Sequence, residues 1–96
     1  MMVLITYDVN TETKEGKRRL RQVAKACVNY GQRVQNSVFE CNLSPLDYAK
    51  LKDEISKIAD KENDSIRYYH LGDKWERRIE HFGKNEAYNP EGPLVI

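Results

Sequence analysis

The stretch RVQNSVFECNL, residues 33–43, decides which fold this chain adopts. Its composition is that of strand, with β-branched and aromatic residues set among polar ones, yet Val38 and Phe39 adjoin and break strict alternation. Asn36 and Ser37 lie just before the break, so the pattern predicts a tight hairpin or a bulge there. A strand, a turn and a second strand, set between two helical segments, make the central pair of a βαββαβ order.

Working outward toward the N-terminus, residues 3–9 are short, β-branched and apolar, which suits a strand buried on both faces. Asn10, Thr11, Glu12 and Thr13 form a polar turn with cap-forming side chains, so a helix is expected to begin there. Leu20, Val23, Ala24, Cys27 and Val28 then recur at three- and four-residue spacing, and Gly31 is read as the C-terminal stop. Toward the C-terminus, Ser44 and Pro45 give an N-cap and a first-turn proline. Leu46, Ala49, Leu51, Ile55, Ile58 and Ala59 roughly follow a second amphipathic helix, and a polar stretch ends it at residues 60–64. SIRYYHL, residues 65–71, reads as a strand, with a turn at Gly72 and Asp73.

The class expected is α+β, a ferredoxin-like sandwich with two helices on one face of an antiparallel sheet. A doubly wound fold needs more strands and more length. Residues 1–73 form this domain and residues 74–96 a C-terminal extension. Within the extension WERRIEHFG reads as a turn of helix, NPEGP as irregular, and PLVI as an apolar end. That end either packs on its own sheet or adds as a strand to the sheet edge of a second copy, and the second is the expectation.

With 96 residues, 40% apolar and 32% charged, the composition is that of one globular domain, and no run is apolar enough to cross a bilayer. The first apolar stretch lacks a basic leader and a small-residue cleavage site, so a cytoplasmic protein without membrane association is expected. Cys27 and Cys41 lack a metal-type spacing and read as two reduced core thiols. His70 and His81 have no zinc spacing and read as structural or surface groups. No Gly-rich phosphate loop, CxxC or Ser/His/Asp arrangement is present, which argues against nucleotide-driven and acyl-transfer chemistry.

Two features remain for function. Asp8 ends the first strand, where it either hydrogen-bonds the following turn or serves as a metal ligand; Mg²⁺ needs only one or two carboxylates, and two copies about a two-fold axis would supply two. Tyr7 beside it points to the opposite face and is read as a packing residue. The net charge is only +1, yet residues 14–25 hold Lys14, Lys17, Arg18, Arg19, Arg21 and Lys25 against Glu15 alone. Helical spacing lines Lys14, Arg18, Arg21 and Lys25 into one exposed stripe. A solubilising face usually mixes signs, so this imbalance favours phosphate contact, and the helix start is expected to flank Asp8. Arg33, Gln35 and Ser37 alternate and would show three hydrogen-bonding side chains on one face.

YDV at residues 7–9, the helix GKRRLRQVAK from Gly16, GQRVQNSVFEC at 31–41 and YYHLGD at 68–73 together resemble the small CRISPR-associated adaptation endonuclease or endoribonuclease family, the integrase partner in spacer acquisition. The resemblance implies a ferredoxin-like homodimer in which Asp8 meets its symmetry mate and binds Mg²⁺, or alternatively Mn²⁺, for cleavage of double-stranded DNA or single-stranded RNA. It also implies Arg18, Arg19 and Arg33 as phosphate contacts and Phe39 as a packing residue near the site. A non-catalytic dimeric DNA scaffold for the integrase is the competing reading. A small-molecule sensor would leave the basic helix without a role.

Overall fold

The computed structural model describes residues 1–71 and 78–84. Its centre is β1, Met2–Asp8, flanked by β3, Val38–Asn42, and β4, Ser65–Leu71. The edges are β2, Gly31–Gln35, and β5, Arg78–Gly83, giving a five-stranded sheet of order β2-β3-β1-β4-β5 in which every pair is antiparallel. Two helices, α1 at Lys14–Val28 and α2 at Pro45–Ile58, complete the βαββαβ order expected of a ferredoxin-like sandwich.

Alternation along β1 sorts the core. Val3, Ile5 and Tyr7 pack with Leu20, Val23 and Cys27 of α1 and with Leu51 and Ile55 of α2, in the main cluster. Leu4 points the other way, into a smaller cluster with Val38 and Tyr69 on the face without helices, against which Ile79 packs. The adjacent Val38 and Phe39 are thereby explained: both are buried, one in each cluster, on opposite faces of β3. Full burial of Phe39, Ile5 or Leu51 contributes about 1.5–3 kcal/mol each.

The hairpin between β2 and β3 turns at Asn36 and Ser37, with the register slipping between Arg33 and Gln35. That bulge corrects the expected polar row. Arg33 pairs with Phe39 and Gln35 with Val38, so the two side chains lie on opposite faces.

Both helix starts follow the sequence. Thr13 Oγ1 accepts the Gly16 N–H at 2.9 Å and Ser44 Oγ accepts the Asp47 N–H at 3.1 Å, with Pro45 in the first turn. The end of α1 does not: its C-cap is Asn29, and Gly31 instead opens β2, where a Cβ would stand 2.0 Å from the Glu40 carbonyl oxygen. In α2 the buried face is Tyr48, Leu51 and Ile55, whereas Leu46 is 65% exposed and Ala49 is also exposed. Tyr48, three residues before Leu51 and seven before Ile55, shares their face whereas Leu46 falls on the opposite one, and the Tyr48 hydroxyl donates to Glu80 at 2.7 Å.

The turn of helix expected within WERRIEHFG is corrected to strand: β5 pairs with β4 from Ser65 opposite Gly83 to His70 opposite Arg78. The sheet thus continues past residue 73, because Ile79 and Phe82 alternate onto its two faces. The turn at Gly72 and Asp73 and the apolar end at residues 93–96 lie outside the described residues. Cys27 and Cys41 are buried free thiols, as expected, with Cys41 Sγ donating to the Cys27 carbonyl at 3.6 Å. Among the described residues no helix is long and apolar enough to cross a membrane.

Candidate metal and nucleic-acid site

Asp8 closes β1 opposite Ser65 of β4 and is exposed. By alternation with Leu4 it belongs to the face without helices. Its side chain makes no hydrogen bond or ion pair with another described residue, so the carboxylate is open to a ligand. The described residues hold no group of three or more His, Cys, Asp or Glu suited to a metal. One chain therefore offers one carboxylate, which fits Mg²⁺ only where substrate oxygens, water or a second copy complete the shell.

Tyr7 lies on the other side of the strand end, 2% exposed, and packs as expected. Its hydroxyl donates to Asp64, a carboxylate with no exposure at all. Arg19 grips the same carboxylate with two bonds, Nε to Oδ2 at 2.7 Å and Nη2 to Oδ1 at 3.0 Å, and the Asp60 N–H adds a further bond at 2.9 Å. Burial, reinforced by the Asp64 carboxylate, pushes the Tyr7 phenol far above its ordinary range, and Asp64 raises the Arg19 guanidinium as well. Sequence reasoning missed Asp64. It sat in a polar stretch after a helix, and only the fold buries it; the available signal was Arg19, which helical spacing puts on the same side of α1 as Gly16 and Val23, away from the other bases.

The exposed stripe Lys14, Arg18, Arg21 and Lys25 stands on α1 as the spacing predicts, and Lys17 lies beside it, but one residue of the wider basic run turns away. Lys14, Lys17, Arg18, Arg21 and Lys25 are exposed, and Lys14, Glu15, Lys17, Arg18 and Arg21 line an open concavity of about 420 Å³. Arg19, grouped with them in the sequence, is turned inward onto Asp64 with only 19% of its side chain exposed. A buried carboxylate needs a cation more than the surface does. From Lys14 to Lys25 the stripe runs about 16 Å along the helix. It lies on the helical side of the sheet, whereas Asp8 belongs to the opposite face, so the helix start adjoins the carboxylate through the turn at residues 9–13 only.

Arg33 is exposed on the edge strand and folded over its own hairpin, Nε to the Asn36 carbonyl at 2.7 Å and Nη2 to Asn36 Oδ1 at 3.2 Å, 5.6 Å from the Phe39 ring centre. Two of its five donors are engaged, which leaves others for a phosphate. His81, exposed, has Nε2 2.8 Å from Ser65 Oγ, and the half-buried His70 has Nε2 3.0 Å from Tyr48 Oη, within the structural or surface roles expected of the two.

The family model described as CRISPR associated protein Cas2 matches residues 1–79. The CRISPR-associated endoribonuclease Cas2 of Nitratidesulfovibrio vulgaris is 54% identical over 96 residues, covering 100% of this chain and 94% of that protein. The CRISPR-associated endonuclease Cas2 of Halalkalibacterium halodurans is 50% identical over 96 residues, covering 100% of both. The crystal structure of Streptococcus pyogenes Cas2 at pH 6.5 superposes with a TM-score of 0.75 at 60% identity, covering 78% of this chain and 90% of that one.

Proposed function

The chain belongs to the CRISPR-associated Cas2 family, and from that premise we propose that it is a Mg²⁺-dependent endonuclease of the adaptation stage, working as a homodimer in the cytoplasm. The observation that carries the reading is Asp8: an exposed carboxylate, free of other described partners, at the end of the central strand. Asp64 and Glu80, by contrast, are engaged, Asp64 by Arg19 and Glu80 by Lys52 and Tyr48.

Asp8 supports metal chemistry because Mg²⁺ accepts a sparse protein ligand set. When bound, the ion would supply positive charge to the phosphoryl group and lower the pKa of a water beside it. This chain's part is to hold the ion through Asp8 of each copy and to hold the nucleic acid. Lys14, Lys17, Arg18, Arg21 and Lys25, with Arg33 at the sheet edge, contact phosphates and carry no base selectivity. Since the stripe and Asp8 belong to opposite sides of one sheet, a duplex or strand held on one copy's helix reaches the carboxylates by passing around the sheet end at residues 9–13. The reading extends to Mn²⁺ as a substitute ion and to the CRISPR integrase as partner. The substrate is double-stranded DNA or single-stranded RNA.

The test is a cleavage assay on matched single- and double-stranded RNA and DNA, with and without Mg²⁺, for the wild type and Asp8→Ala. Mg²⁺-dependent cutting that disappears in Asp8→Ala is the expected result. Cutting that survives in Asp8→Ala overturns the metal-ligand assignment, and binding without any cutting leaves the protein a scaffold.

A further inference from the structure

We propose that Asp64 is the positioning residue that sets Asp8 in place; the inference rests on Asp8 being the metal ligand. Four parts of the chain converge on Asp64. Tyr7 of β1 and Arg19 of α1 bind its side chain, the Asp60 N–H binds it from the link after α2, and its backbone carbonyl accepts the Lys84 N–H at 2.6 Å just after β5. The same carbonyl lies 2.1 Å from where a Cβ of Gly83 would stand, and Gly83 has φ 98°, so β5 can end there only with glycine.

The clamp acts on Asp8 from two directions. The β1–β3 register ends at Thr6 opposite Val38, with one more bond from the Tyr7 N–H to the Ser37 carbonyl at 2.9 Å. Beyond that, Asp8 is paired through Ser65 of β4 alone. Tyr7 precedes Asp8 and Asp64 precedes Ser65, so the Tyr7–Asp64 bond ties together the neighbours of that last pair. With Tyr7 drawn to the helical side, alternation commits Asp8 to the other side. A hydrophobic residue at position 64 would fill the space without the bond that ties it to Tyr7. Orientation matters at Asp8 because Mg²⁺ demands near-ideal octahedral geometry and two symmetry-related carboxylates must converge on one ion.

The test compares full-length wild type, Tyr7→Phe and Asp64→Asn below the melting temperature of each. Three quantities are read: affinity for Mn²⁺ alone by calorimetry, affinity for a DNA duplex without metal, and the single-turnover cleavage rate with saturating protein and Mg²⁺. A positioning role predicts Mn²⁺ affinity and cleavage each weaker by about tenfold, with duplex affinity unchanged. A purely structural role lowers the melting temperature and leaves all three unchanged in the folded protein, which overturns the inference. If Asp64→Asn does not fold, Tyr7→Phe decides, because it removes one hydroxyl and leaves the Arg19–Asp64 pair intact. A wild type that binds no Mn²⁺ and shows no Asp8-dependent cleavage overturns the functional reading and this inference with it. Normal wild-type behaviour with an unaltered Tyr7→Phe overturns the inference alone.

Discussion

Replacing Arg18 and Arg19 one at a time, each with alanine, asks adjacent residues of one basic run for opposite results. Arg18 is exposed beside Lys14 and Arg21 in the open concavity, while Arg19 holds the fully buried Asp64 through two bonds. A cation that contacts a duplex phosphate contributes about 0.9 to the slope of log affinity against log salt, so raising salt from about 50 to 200 mM weakens binding by about 3.5-fold for each such contact. Arg18→Ala should therefore flatten the slope by about 0.9 where one copy's helix engages the duplex, or about 1.8 where both do. Arg19→Ala should leave the slope unchanged and strip a buried carboxylate of its cation. Breaking a buried pair costs about 3 kcal/mol, at the low end because part of Arg19 reaches solvent and because Tyr7 and the Asp60 N–H still bind Asp64. For a domain of this size that is a fall in Tm of roughly 12 °C or more. Fluorescence anisotropy on a labelled duplex across a salt series, with thermal melts of the same samples, measures both. Equal slope changes for the two variants, or an Arg18→Ala slope identical to wild type, would refute the assignment of charge between surface and core.

Asp8→Asn should abolish cleavage yet leave duplex affinity within about twofold, because the stripe that binds phosphate lies elsewhere; parallel binding and cleavage assays check it. Leu51→Ala, at a fully buried position of α2, should cost about 2–5 kcal/mol in chemical denaturation. Leu46→Gln, five residues earlier and 65% exposed, should change stability by less than about 0.5 kcal/mol. Gly31→Ala sets a Cβ 2.0 Å from the Glu40 carbonyl oxygen, so the β2–β3 hairpin must shift and the melting temperature should fall. Glu80 is held below the usual carboxylate range first by the Lys52 ammonium at 2.8 Å and also by the Tyr48 hydroxyl. A depressed folded value stabilises above the unfolded pKa of about 4.3 and is lost as pH falls through the folded one, so Glu80→Gln should reduce the acid sensitivity of Tm.

Local chemistry carried much of the fold. Thr13 and Ser44 cap helices wherever a polar oxygen precedes a helical run, and a turn at Asn36 and Ser37 follows from its own residues and the break at Val38 and Phe39. Asp8 was legible for a similar reason: a carboxylate ending an apolar strand needs an explanation, and the family resemblance provided one. Positions decided at long range were less legible. In α2 the spacing from Leu51 and Ile55 puts Tyr48 on the buried face and Leu46 on the opposite one, and what lay at long range was the partner of the Tyr48 hydroxyl, Glu80, reached only when β5 joins the sheet. WERRIEHFG has no strong period of its own, and an open edge on β4 makes part of it a strand.

The sequence by itself determined the order of elements, the buried central strand, the exposed carboxylate at its end and the excess of positive charge on α1, since each depends on spacing within a few residues. Only the tertiary structure decided what the one basic residue outside the exposed stripe's face, Arg19, would meet inside. Arg18 and Arg19 are neighbours in sequence and alike in chemistry, but the sheet brings Asp64 into the interior 45 residues away, and the free energy of a buried carboxylate draws Arg19 inward. The same long-range meeting gives the buried Tyr7 hydroxyl its partner in Asp64, whereas strand alternation by itself puts Asp8 on the other face.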